Sequence, residues 1–296
     1  MNLAISPRPA QARVLNFEDL PQALAIARLD PVASALVLTQ LEDSATAGKL
    51  TGLLWGFPQT GPLTAICWAG GNLIPVLSEP NDWAIAAFAA KAKSRQCKVS
   101  SIVGPAHDVL ALWEHLRGSW PQPREIRANQ PSMVIMQPAQ IQADPLVRFG
   151  TSRDYAAVFP ASVAMFESEV GVSPLRFGST MYAERVHYLL RMNRTLVRVT
   201  EARGLKELSG SATEVMFKAD FGVVTREVAQ VQGVWIPPRF RGKGLASAAM
   251  AAVVNQGLKH TAPIISLYVN DYNAPALATY NRVGFTRVGT FASILF

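Results

Sequence analysis

Charge is scarce in this chain of 296 residues: Asp, Glu, Lys and Arg make up 17% of it, against 49% hydrophobic residues. That balance excludes a disordered chain and favours well-buried cores. Cysteine is scarcer still. Cys67 and Cys97 are the only two, without C-x-x-C or any metal spacing, so they read as buried free thiols of a reducing compartment. His107, His115, His187 and His260 are scattered, with no H-x-x-x-H pair, and no metal site is implied. No stretch reaches the ~18 uninterrupted apolar residues of a membrane helix. The N-terminus (MNLAISPRPAQARV) carries prolines and arginines where a secretory signal needs an apolar core. A cytoplasmic location is therefore expected. The net charge is +7, yet no run of five basic residues occurs. Nucleic acid is not an expected partner, and a modest positive field suits a polyphosphate ligand instead. Ser247 lacks a G-x-S-x-G context, which argues against a hydrolase elbow.

What is present is an alternation of strand and helix patterns. In the first half the patterns predict a strand over Arg13–Phe17, a helix over Leu20–Leu41 and a hairpin through Leu53–Phe57 and Leu63–Ala69. A strand Asn72–Val76, a helix Asp82–Arg95, a strand Ser100–Val103, a helix His107–Trp120 and a strand Met133–Met136 follow. Met136 to Pro145 (MQPAQIQADP) has no periodicity and reads as a linker. Beyond it the patterns predict a strand Val147–Gly150, helices Arg153–Val170 and Thr180–Arg191, and strands Thr195–Glu201, Glu214–Ala219 and Val223–Ile236. A helix from Leu245 to Leu258 and an apolar run Thr261 to Asn270 complete the order. The fold class expected is α/β with a mixed sheet, in two domains: 1–137 and 146–296, joined by 138–145.

The most informative stretch is Arg239-Phe240-Arg241-Gly242-Lys243-Gly244, directly after GVWIPP (233–238). It reads as a strand, a glycine turn, then an Ala-rich helix. Such a turn gathers backbone N–H groups at a helix N-terminus, where they and the helix dipole attract phosphate. It is not a Walker loop, because Lys243-Gly244 stands in the wrong order for G-x-x-x-x-G-K-S/T, and the third glycine of G-x-G-x-x-G is missing. A simple solvated helix start is the alternative. Downstream, Asn273 suits an N-cap, Pro275 a first turn and Gly284 a C-cap, around A-P-A-L-A-T-Y and ahead of Phe285.

Together these residues resemble the GCN5-related N-acetyltransferase (GNAT) superfamily. Arg239, Gly242 and Gly244 fit its R/Q-x-x-G-x-G/A pyrophosphate loop. The strand ending in Asn270, the helix from Asn273 to Tyr280, and Gly284-Phe285 fit its second signature. The whole chain is similar to actinobacterial two-domain members with an uncharacterised N-terminal domain. The first half has Gly104-Pro105 after its central strand but neither signature. It reads as a degenerate GNAT-like copy, so that the resemblance implies tandem acyl-CoA N-acyltransferase domains.

The resemblance implies acetyl-CoA as co-substrate, no metal, and an amine acceptor of small-molecule, peptide or protein type. Val234, Trp235 and Ile236 would lie along the pantetheine arm. Arg241, Gly242, Lys243, Gly244, Leu245 and Ala246 would meet the pyrophosphate, with Arg239 beside them. Asn270 and Asn273 would approach the pantetheine near the second strand, and Tyr280 would lie at the thioester sulfur. Trp235 reads as a pocket or core wall ahead of a cofactor-stacking group. A phenol near pKa ~10 facing a thiolate near ~8.5 makes outright proton donation uphill by roughly 2 kcal/mol, so Tyr280 is expected to hydrogen-bond the developing thiolate. For the base, Glu169 and Glu227 are the candidates, each equally readable as an exposed or paired carboxylate. The helix carrying Arg185, His187, Arg191 and Arg194 reads as a solvated face or as an attractor of acidic substrates. A non-catalytic CoA-binding regulator or scaffold is the alternative function, and a homodimer is compatible with either.

Overall fold

A computed structural model describes residues 11–95, 99–201 and 213–296. Cys97 and the first ten residues fall outside them. The chain divides into two units: one takes in residues 1–132, 268–272 and 288–296, the other residues 133–267 and 273–287.

The first unit begins with β1 (Arg13–Val14), α1 (Leu20–Ala27) and α2 (Ala35–Ala47). One long helix was expected across α1 and α2. Pro31 prevents it, because it has no N–H to give to the carbonyl of Ala27. That carbonyl accepts the hydroxyl of Ser34 instead, while Asp30 Oδ1 accepts the N–H groups of Val32 (3.1 Å) and Ala33 (2.9 Å). Next come β2 (Leu54–Phe57), β3 (Ala65–Ala69), β4 (Asn72–Leu77), α3 (Asp82–Ser94), β5 (Ser101–Pro105), α4 (Ala106–Leu116) and β6 (Glu125–Ile135). Asn81 caps α3 through Ala84 N–H. Strands β1 to β4 pair antiparallel in sequence order, and β4 and β5 pair parallel.

Alternation along these strands builds two cores. Leu54, Ile66, Trp68 and Ile74 face α1 and α2, with Leu20, Ala23, Leu38 and Leu41. Trp55, Cys67, Leu73 and Ile102 face α3 and α4, with Ile85, Phe88, Leu112 and Trp113. Period-two alternation with both faces buried explains why these strands read as nearly continuous apolar runs. Cys67 is a buried free thiol. The end of the chain adds one more strand here: Phe291 to Leu295 pair antiparallel with Pro105 to Ser101.

The second unit contains β7 (Arg148–Phe149), α5 (Tyr155–Val170), α6 (Ser179–Arg191), β8 (Thr195–Glu201), β9 (Thr213–Val224), β10 (Val228–Trp235), α7 (Leu245–His260), β11 (Ile264–Tyr268, whose last residue counts with the first unit), α8 (Ala274–Val283) and the start of β12 (Thr286–Leu295). The strand order is β11-β10-β9-β8-β7. Only β10 and β11 run parallel, as the crossover through α7 requires. Helices α5 and α6 cover one face through Val158, Ala161, Val186 and Leu190, packed on Val197 and Val215. Helix α7 lies against Phe221 and Ile265 at Gly257, where a Cβ would stand 2.6 Å from Phe221 Cζ and 2.7 Å from Ile265 Cδ1. Only glycine permits that approach.

Residues 136–145 form no regular element, yet their backbone is tied down. Ala139 N–H donates to Asn255 Oδ1, Gln140 N–H to Val283 O and Asp144 N–H to Ala248 O, at 2.9 to 3.0 Å.

Candidate active site at the glycine turn

The sequence suggested one strand from Val223 to Ile236. The structure breaks it: β9 runs to Val224 and β10 starts at Val228. Thr225 makes the turn without glycine or proline. Its Oγ1 accepts the N–H groups of Glu227 (3.2 Å) and Val228 (2.9 Å), and its own N–H donates to Val228 O (2.8 Å). Glu227 therefore sits in the turn just before β10. At ~3.3 Å per residue it stands about 20 Å along the strand from Val234. It is not brought to the glycine turn.

At its other end β10 departs from regular pairing. The register with β11 covers Val228↔Ile264, Ala229↔Ile265 and Gln230↔Ser266, while β10 continues to Trp235. On its β9 side, Gln232 pairs with Asp220 and Trp235 with Lys218. Gly233 and Val234 thus oppose Ala219 alone, which is a β-bulge, and Gly233 takes φ +57° to form it. The strand so leaves β11 and turns its backbone toward the glycine turn.

The turn follows at once. Gly242 and Gly244 have φ +73° and +74°, and a Cβ on either would meet no atom within 4 Å. Their requirement is therefore backbone handedness rather than space inside the protein. Gly244 is the N-cap of α7, and neither a side-chain cap nor an acidic residue occupies the first turn. The first N–H groups of this 16-residue helix, from Leu245 and Ala246 onward, have no intrahelical acceptor and remain the positive end of its dipole.

The basic side chains around the turn are held in different ways. Arg239 bonds the carboxylate of Glu214. Arg241 lies over the Trp235 ring at 4.9 Å, and its Nε donates to Ile236 O at 2.9 Å. Lys243 lies over the Phe240 ring at 5.6 Å. Among the described residues neither Arg241 nor Lys243 has a carboxylate partner. Trp235 packs at the edge of the α5–α6 core, so it is a wall under Arg241. Beside the turn lies a cleft of about 570 Å³, lined among others by Asp144, Arg198, Met216, Phe240, Lys243 and Gly244.

Helix α8 carries the second set of residues. Asn273 caps it, its Oδ1 accepting Ala276 N–H at 3.3 Å, and Gly284 ends it at φ +114°. The cap assigned from sequence is present, and it engages the Asn273 carbonyl oxygen. Tyr280 is 7% exposed and packs edge-on against Phe285 at 5.8 Å. Burial, and secondly the Glu169 carboxylate, push its phenol up to about 12. Glu169 sits on the exposed last turn of α5, so the structure brings it within electrostatic reach of Tyr280. Asn270 counts with the first unit, where its Oδ1 accepts Gln130 Nε2 (2.9 Å) and Gln130 Oε1 accepts Ser293 Oγ (2.8 Å).

Sequence reading missed Lys218 and Asp220. Lys218 is fully buried, and its ammonium donates to Asp220 Oδ2 at 2.6 Å and to Gly233 O at 3.1 Å. The i, i+2 spacing of two charges inside an apolar strand (VMFKADF) was the available signal. His187, read as part of a basic face, stacks on Tyr155 with ring centroids 3.7 Å apart. Among the described residues no group of three His, Cys, Asp or Glu could hold a metal ion, and no helix is long and apolar enough to cross a membrane.

Comparison with known proteins bears on the family and the fold. Residues 179–285 fit the acetyltransferase (GNAT) family model, and residues 52–158 a domain of unknown function (DUF4081). A curated, uncharacterised N-acetyltransferase of Methanocaldococcus jannaschii is 33% identical over 60 residues; the match covers 20% of this chain and only 26% of that protein. Among solved structures, a GNAT acetyltransferase of Colwellia psychrerythraea aligns at TM-score 0.57 and 11% identity, over 97% of this chain and 99% of that one. A tandem GNAT protein from the clavulanic acid biosynthesis pathway, solved without AcCoA, aligns at 0.55 and 11%, over 96% and 98%. At such identities the likeness is one of fold: a mixed α/β architecture shared with GNAT proteins, tandem ones included. The chain thus carries a GNAT acetyltransferase-family domain over residues 179–285.

Proposed function

From the premise of a GNAT-family domain, which points to acyl transfer, we propose that this chain moves an acetyl group from acetyl-CoA to a primary amine by direct attack in a ternary complex. The observation that carries this reading is the uncapped N-terminus of α7 behind two glycines of positive φ, with Arg241 and Lys243 beside it. Such a terminus fits a pyrophosphate through backbone donors and dipole together. The β10 backbone beyond its last pair with β11 offers the pantetheine amides a strand edge at Val234 and Ile236. Ile236 O already accepts Arg241 Nε, so the arm either exchanges with that contact or uses the neighbouring N–H groups.

In the transfer the amine nitrogen bonds to the thioester carbonyl carbon, the C–S bond breaks, and the nitrogen gives up a proton to water or a base. Tyr280 meets the leaving sulfur. With its phenol at about 12, giving the proton outright to a thiolate near ~8.5 would be uphill by roughly 5 kcal/mol. Tyr280 therefore donates a hydrogen bond as charge builds on sulfur, and the thiol proton arrives later. Glu169 faces the acceptor. Glu169 attracts the cation, and the proton leaves through water. The N-terminal unit is a degenerate copy without a glycine turn of this kind, and the cytoplasm is its compartment.

A CoA-binding regulator without turnover is the second reading, and Tyr280 is what separates them. Tyr280→Phe is expected to lower kcat about 10²-fold across an amine panel, with the acetyl-CoA dissociation constant little changed. Unchanged kcat removes the role given to Tyr280, and no turnover by the wild type on any amine favours the regulator.

A further inference from the structure

A lysine buried without solvent contact is uncommon, and this one is not neutralised by its carboxylate alone. Lys218 stands on β9 across from Trp235 of β10, and Asp220 stands across from Gln232. Their side chains share a face of β9, and the ammonium lies under the bulge between those two pairs. One of its hydrogens goes to Asp220 Oδ2 at 2.6 Å, another to the carbonyl of Gly233 at 3.1 Å. The other carboxylate oxygen, Oδ1, accepts Thr195 Oγ1 at 2.8 Å. A Cβ on Gly233 would come within 2.9 Å of Asp220 Oδ2, 3.1 Å of Met165 Cε and 3.3 Å of Lys218 Nζ. The bulge thus has charge beneath it and no room for a side chain.

A bulge frees a peptide group from the ladder, and a buried carbonyl so freed must find another donor. Here that donor is Lys218. A neutral core could have closed this space with apolar side chains, and such replacements of buried ion pairs are often neutral or stabilising. The pair therefore calls for a reason beyond stability. It lies at the stretch of β10 that has left β11 and that the proposed function gives to the pantetheine arm, next to the thioester.

We propose that Lys218 is a positioning residue for acyl transfer: by holding the carbonyl of Gly233 it sets the bulge and aims the freed N–H groups of β10 at the thioester carbonyl oxygen. Asp220 and Thr195 fix the ammonium in place. This inference rests on the acetyltransferase reading, and it concerns the carbonyl rather than the pyrophosphate end of the ligand.

The test uses the full chain and acetyl-CoA labelled with carbon-13 at the thioester carbonyl. Hydrogen bonding at the oxygen moves that resonance downfield of its value in free acetyl-CoA. Lys218→Met/Asp220→Asn removes both charges together and leaves no lone buried ion, and the amide still accepts from Thr195. The double variant is expected to bind acetyl-CoA within about threefold of wild type, to melt cooperatively, and to return the bound carbonyl resonance to the free value. A double variant that binds acetyl-CoA and keeps the wild-type shift overturns the inference. A wild type that binds no acetyl-CoA fails at an earlier step and removes the acetyltransferase reading together with this one.

Discussion

Tyr280 shows how burial and role are linked at the scale of one residue. Removing a phenol from water and setting it near the Glu169 carboxylate both disfavour the phenolate, which is why its pKa rises to about 12. The sign is simple: the hydroxyl stays protonated, and able to donate, at every pH at which the protein would be assayed. A pH–rate profile is expected to rise toward alkaline pH as the acceptor amine loses its proton and to show no falling limb from Tyr280 below pH ~11. A falling limb near pH ~9 that disappears in Tyr280→Phe would contradict this assignment. Asp154 presents the opposite case. Arg148 bonds it bidentately at 2.8 and 2.9 Å, the Thr151 N–H adds a third bond, and its carboxyl is held down at about 2. A depressed folded-state pKa contributes stability that is full above the unfolded value near ~4 and is lost as pH falls toward 2. Asp154→Asn is expected to cost about 1 kcal/mol at neutral pH, since Arg148 is half exposed, and clearly less at pH 2. Denaturant melts of both proteins at the two pH values decide it.

Elements carry the next level of argument. Gly242 and Gly244 have open space where a side chain would go, so their cost of substitution is set by φ: an alanine held left-handed loses about 1 kcal/mol. Gly244→Ala is therefore expected to lower stability modestly while CoA affinity falls more, because the N–H groups it aims would turn away. Equal losses in melting and in binding would show that the turn serves the fold alone. This turn was fully legible in the sequence, since R-x-x-G-x-G, the caps Asn273 and Gly284 and the Ala-rich helix are all local signals. The misread elements had signals of another kind. Pro31 was present but outweighed by the apolar periodicity on both sides of it. The Thr225 turn rests on one hydroxyl that replaces the usual glycine, so the break between β9 and β10 has no glycine or proline to mark it. Much of β6 was missed because its first half is polar and Pro131 follows directly. The bulge and its buried lysine depend on a pairing across β9 and β10 that no local pattern states.

For the whole molecule, the division into units cuts across the order of the chain. Residues 288–296 count with the N-terminal unit, where Phe291, Ala292 and Ile294 are buried and the strand pairs with β5. No hydrophobic pattern in the last strand names its partner, which is why a reading by segments assigns it to its sequence neighbours. Deleting residues 288–296 is expected to unprotect the amides of Ser101 to Val103 in hydrogen exchange by removing the partner of β5. Unchanged protection there would contradict the pairing. The matches to solved structures extend over nearly the entire chain, whereas the acetyltransferase family model covers residues 179–285 and a domain of unknown function residues 52–158. The account's central claim is that this turn holds coenzyme A. Isothermal titration of the full chain with acetyl-CoA and with CoA, beside the Arg239→Ala/Gly242→Ala variant, tests it most directly. Micromolar binding that the variant loses by tenfold or more is the predicted result. Full affinity in the variant, or no binding by the wild type, would contradict the account.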